Sequence, residues 1–144
     1  MDFMNLFKKT PQPSSPYRLL TWNQKLAAMN LMVVCGGSCS GQPHELDKIN
    51  HIMSVEGREM GVSGDQVHSA RSLFSDMNEM VNALNGANRH ALEKLFWAFY
   101  CIVAVGKSSQ AVLVLLGVYN KLGFSKQECT LILERKTGHK LNEL

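Results

Sequence analysis

The run Lys25-Leu26-Ala27-Ala28-Met29-Asn30-Leu31-Met32-Val33-Val34-Cys35-Gly36-Gly37 returns, without a gap, as Lys94-Leu95-Phe96-Trp97-Ala98-Phe99-Tyr100-Cys101-Ile102-Val103-Ala104-Val105-Gly106 at an offset of 69. Both runs are apolar and close on glycine, the signature of a helix and its stop. Further out, Met60-Gly61-Val62-Ser63-Gly64-Asp65-Gln66-Val67 pairs with Leu122-Gly123-Phe124-Ser125-Lys126-Gln127-Glu128-Cys129 at an offset of 62. Each half therefore reads as an apolar helix ending at Gly, a second helix ending at Gly, and an N-capped third helix. A unit that cannot bury its own apolar face, present twice, predicts one all-α domain. The expected architecture is a compact bundle of about six to eight helices built from two pseudo-symmetric three-helix halves.

Local signals fill in the elements. Residues 1–16 read as a flexible N-terminal segment and Pro/Ser linker through Pro11, Pro13, Ser14, Ser15 and Pro16, with a single domain over 17–144. Thr21 caps a helix reaching about Cys35, and Gly36-Gly37-Ser38-Cys39-Ser40-Gly41-Gln42-Pro43 reads as a loop. A second helix spans about 43–60. Val67, Ala70, Leu73, Phe74, Met77, Met80, Val81 and Leu84 form one stripe of a third, closed by Asn85-Gly86. Asn88 caps the fourth helix, whose Leu95–Val105 stretch is apolar on every side and so must be surrounded. At eleven residues it is too short for a bilayer, which takes about 20; a buried hairpin turned at Gly106 is expected. Ser125 with Glu128 forms a capping box for a last helix to about Lys136.

Composition narrows the function. A net charge of +3 with only Lys8-Lys9 and Arg135-Lys136 as adjacent basic pairs makes no phosphate-binding stripe, so no nucleic-acid partner is expected. Four Cys set mostly in apolar runs read as buried thiols in a reducing compartment, and the expected location is the cytoplasm. The N-terminus lacks the apolar core of a signal peptide.

The pattern of apolar helix, glycine-containing loop, helix, Leu-Gly-Phe-Ser-x-x-Glu and helix resembles the TerB-like domain of tellurite-resistance proteins, also found at the N-terminus of DjlA-type membrane co-chaperones. The resemblance covers about residues 20–136. It rests on Tyr119-Asn120-Lys121-Leu122-Gly123-Phe124-Ser125-Lys126-Gln127-Glu128, with an echo at Arg58-Glu59-Met60-Gly61-Val62-Ser63. It implies a non-enzymatic binding or scaffold module of a bacterial cytoplasmic protein, in a tellurite-type stress response. It also implies an Ala-x-x-Asp-Gly element in each half, with a later Glu, for divalent cations. Here Gly36 and Val105 stand in the Asp places, and Glu45 alone matches the later Glu. One carboxylate does not complete a hard-cation shell, so the acidic site is degenerate and no cofactor is expected.

Several residues remain as candidate sites. Cys35 and Cys39 with His44 and His51 have no standard zinc spacing. Gly37-Ser38-Cys39-Ser40-Gly41 has the outline of a nucleophile elbow, which defines the alternative function: a small cysteine-dependent enzyme or redox protein using Cys39 with His44, His51 or His68. Without a strand before it, Cys39 is expected to be an exposed, oxidisable loop thiol. Glu45, Glu56 and Glu59 are the metal-ligand candidates; with Asp47 they read first as a solvated helix face. Met29, Met32, Met53, Met60, Met77 and Met80 read as core filling rather than a partner groove, and Trp97 as core. Trp22, Phe3 and Phe7 are partner-binding candidates. Phe3, Met4, Leu6 and Phe7 ahead of Lys8-Lys9 would give weak peripheral membrane contact without a transmembrane span. An unidentified protein partner is expected, with the chain a monomer or homodimer.

Overall fold

The helix stops and starts legible in the sequence carry the architecture. The computed structural model describes residues 15–39, 41–107 and 109–138. Its α-helices are α1 (Trp22–Cys39), α2 (Pro43–Met60), α3 (Gly64–Ala70), α4 (Met77–Leu84), α5 (Arg89–Gly106), α6 (Ser109–Lys121) and α7 (Lys126–Thr137). Short 3₁₀ turns occupy Pro16–Leu19 and Arg71–Leu73, and no strand occurs among the described residues. Thr21 Oγ1 accepts from the Gln24 N–H at 3.1 Å while Gln24 Oε1 accepts from the Thr21 N–H at 3.0 Å, closing the head of α1. Ser63 with Gln66 and Ser125 with Glu128 form the same reciprocal box on α3 and α7.

The offset of 62 is visible in local structure. The Val62 N–H reaches back to the Gly57 carbonyl at 2.9 Å, and the Phe124 N–H to the Tyr119 carbonyl at 2.9 Å. Between them Gly61 and Gly123 hold φ of 78° and 93°, a region closed to most side chains. Both residues after the glycine, Val62 and Phe124, are buried.

α1 and α5 sit at the centre. α1 packs against α2, α3, α4 and α5, whereas α5 packs against α1, α2, α6, α7 and the Pro16–Leu19 turn. Ala27, Ala28 and Met32 of α1 and Leu95, Phe96, Phe99 and Ile102 of α5 are buried. On the far side of α5 the Tyr119 ring meets Phe96 edge-on at 4.8 Å and Phe124 at 5.2 Å. Its hydroxyl donates to the Leu92 carbonyl at 2.6 Å, so the one polar atom of this aromatic cluster is satisfied. The Arg89 guanidinium covers Phe124 at 4.0 Å and pairs with Glu128.

Five expectations about the fold are corrected. The Gly36–Cys39 stretch is helix, not loop. Its glycines answer to packing: a Cβ on Gly36 would stand 2.7 Å from Ile49 Cγ2 of α2. The third helix is two, since the chain leaves α3 through the Arg71–Leu73 turn and restarts with Asp76 as the cap of α4. Leu73 is consequently exposed rather than part of a stripe. The apolar stretch of α5 is not enclosed all round: Trp97, Tyr100, Cys101 and Val105 are half-buried and Ala104 exposed, a stripe at helical spacing. Trp97 therefore lies at the rim of the core, stacked on Tyr100 at 6.1 Å. Ser15 and Pro16, expected in the linker, belong to the folded body: Ser15 is buried and caps the 3₁₀ turn.

The α5–α6 hairpin turns with Lys107, not Gly106, in the left-handed region, at φ 53°. Gly106 serves close approach instead, because a Cβ there would meet the Cys39 carbonyl oxygen at 2.3 Å. Gly106→Ala should therefore lower stability by roughly 1–3 kcal/mol through overpacking. Gly117→Ala, on α6 with nothing within 4 Å of its new methyl group, should raise stability by up to about 1 kcal/mol. Urea unfolding checks the pair; equal shifts in both variants would contradict the close packing of the α1 and α5 ends.

Candidate functional site

The acidic pair of α2 faces inward. Glu56 and Glu59, one turn apart, meet Lys94 of α5, whose Nζ lies 3.0 Å from Glu59 Oε2 and 4.0 Å from Glu56 Oε1. Ser15 Oγ donates to Glu59 Oε2 at 2.8 Å, and the Tyr17 hydroxyl donates to Glu56 Oε1. Lys94 Nζ also lies 5.0 Å from the centre of the Tyr17 ring. The solvated-face reading is overturned for this pair, because the turn at Pro16–Leu19 and α5 cover it. Glu45 stands three turns away along α2, where its carboxylate accepts from the Gly41 N–H at 3.0 Å. The three metal-ligand candidates do not converge, and no group of three or more His, Cys, Asp or Glu positioned for a metal ion occurs among the described residues. Sequence reasoning missed Ser15, Tyr17 and Lys94, which join the carboxylates only through the tertiary fold.

Beside α1, a groove of about 770 Å³ opens between α1, α2 and α3. Met29, Val62 and Val67 make a buried apolar floor, with Met53 beside them. Asn30, almost wholly buried, donates both amide hydrogens, to the Leu26 carbonyl at 3.0 Å and the Val67 carbonyl at 3.2 Å, tying α3 to α1. The exposed side chains Arg58, His68 and Arg71 stand among the lining residues, and no carboxylate does. This groove has an apolar bed and a cationic rim. Met29, Met32, Met60 and Met80 are core as expected, Met29 also flooring the groove; Met53 lines it half-buried and Met77 is exposed.

The cysteine candidates sit elsewhere. Cys39 is buried on the last turn of α1, not exposed on a loop, one turn from Cys35. Burial first, and the neighbouring Cys39 second, push the Cys35 thiol up to about 12. Burial raises Cys39, against an opposing hydrogen bond from Cys35, and it also raises Cys101. Cys129 is pushed up to about 11, with Arg89 opposing. A thiol held protonated is a poor nucleophile. His44, His51 and His68 are all exposed, and none lines the cavity that Cys35 and Cys39 share.

Trp22 is 48% exposed at the head of α1, as expected of an anchor, yet it lines none of these grooves. Phe3 and Phe7, with Met4 and Leu6, lie outside the described residues. No helix among the described residues is long and apolar enough to cross a membrane.

Burial also raises Tyr17, helped by the nearby Glu56 charge, and raises Tyr119. A group whose folded pKa lies above its unfolded value holds its proton more tightly when folded. Its contribution is complete below the unfolded value near 10 and is lost as pH rises beyond it. Stability in urea should therefore fall above pH 10 by roughly 1.4 kcal/mol per pH unit for each of the two tyrosines. A flat profile from pH 9 to pH 11 would contradict the burial of both hydroxyls.

The sequence matches no protein-family model, no curated protein and no solved structure.

Proposed function

We propose that the chain is a non-enzymatic binding module, of the scaffold kind that the TerB-like resemblance implies, and that its partner is an acidic amphipathic helix. The reading rests on one observation: the groove between α1, α2 and α3 combines a methionine-bearing apolar bed with Arg58, His68 and Arg71 and no lining carboxylate. A helix laid in a groove is anchored by apolar residues at i, i+3, i+4 and i+7. Methionine side chains adapt to varied anchors, and rim cations select acidic flanks and quicken association. The raised thiols weigh against cysteine catalysis, and Lys94, Ser15 and Tyr17 already engage oxygens of the Glu56–Glu59 pair.

Titration of fluorescent synthetic helices tests this. An acidic amphipathic peptide should bind, more weakly as salt rises, and a basic peptide with the same apolar positions should not. The double variant Arg58→Glu, His68→Glu, both positions exposed, should weaken the acidic peptide about tenfold or more, equivalent to roughly 1.4 kcal/mol. Equal affinity for the two peptides, or no loss in the double variant, would refute the assignment.

A further inference from the structure

On the opposite side of α1 from the cationic groove lies a smaller cavity of about 240 Å³, walled by α1, α5 and α6 with Met77 from the start of α4. Its lining differs from that of the cationic groove. Cys35 and Cys39 stand one helical turn apart on α1, so both side chains project on the same side of the helix and line the same cavity. Met77 brings a third sulfur side chain to the same cavity. The remaining walls are mostly aliphatic, Leu31, Val34, Val114 and Leu115 among them, and the other polar lining residues are Ser38 and Gln110. No carboxylate and no imidazole lines it.

We propose that Cys35, Cys39 and Met77 form a binding site for a soft monovalent metal ion, Cu(I). Three observations carry it: two thiols one helical turn apart on one wall, a thioether in the same cavity, and an apolar lining that offers hard ions nothing. Thiolate and thioether ligands select Cu(I), which accepts two or three donors. Zn(II) asks for four, with nitrogen or oxygen where sulfur runs out. Binding replaces the two thiol protons with one metal ion and releases them to solvent, with no change of oxidation state. The site lies apart from the groove assigned to the acidic helix and stands independently of that reading.

Competition with a coloured Cu(I) chelator under anaerobic, reducing conditions tests it on the full chain. The wild-type protein should remove one Cu(I) per chain from the chelator. Cys35→Ser, at a half-buried position, should weaken binding by roughly 10- to 100-fold or more. Met77→Leu, at an exposed helix start, should weaken it by a smaller factor at unchanged stoichiometry, and Cys101→Ser should leave it unaltered. Circular dichroism melts accompany each variant. If Cys35→Ser melts early, Met77→Leu decides: unaltered binding there overturns the three-sulfur site. So does Cu(I) uptake that survives in folded Cys35→Ser, or that vanishes in Cys101→Ser.

Discussion

The contact between the C-terminal ends of α1 and α5 governs the rest of the molecule. These helices share the core, and at Gly106 the α5 backbone lies against the Cys39 carbonyl so closely that no side chain fits. Such approach aligns the two apolar helices and lets their flanking helices gather around them: α2, α3 and α4 around α1, and α6 and α7 around α5. Apolar area removed from water is the main driving term, and the two central helices carry much of it. α1 then becomes a wall with two working sides. Met29, Asn30 and Val33 face the cationic groove, while Leu31, Val34, Cys35 and Ser38 face the sulfur-lined cavity, a division that follows from 3.6 residues per turn.

A polar lock complements this packing. Glu56, Glu59, Lys94, Tyr17 and Ser15 join α2, α5 and the Pro16–Leu19 turn in one connected set of ion pairs and hydrogen bonds. Side-chain exposure of 13% at Glu56 and 25% at Lys94 means that each charge depends on its partners for solvation. Among the described residues no buried side-chain nitrogen or oxygen is left without a hydrogen-bond partner. The lock therefore positions the Pro16–Leu19 turn on the bundle without an unpartnered buried polar atom among the described residues.

Features decided within a few residues were legible in the sequence. The caps at Thr21, Ser63, Asn88 and Ser125 and the left-handed glycines at 61, 86 and 123 are local chemistry, and the structure has each. What depends on a distant neighbour was not legible. Gly36 has the composition of a loop, but its function is to admit Ile49, thirteen residues on. The stripe from Val67 to Leu84 is continuous by pattern, yet Ser75 and Asp76 bond to Glu79 and restart the helix there. Glu56 and Glu59 look solvated until Ser15 and Tyr17 fold over them. Of the site, Cys35 and Cys39 were visible as a pair, but Met77 joins them only through the α4 packing, and the cationic rim is assembled from α2, α3 and the turn after it.

Native-state hydrogen exchange tests the centrality of the α1–α5 pair most directly, because amides at the core exchange only through global opening. The slowest amides should lie in 26–32 and 95–103, sharing one opening free energy equal to that from urea unfolding. Amides of α4 and of the exposed side of α6 should exchange through smaller local openings. Slowest exchange in α2 or α7, with α1 or α5 opening locally, would contradict the account.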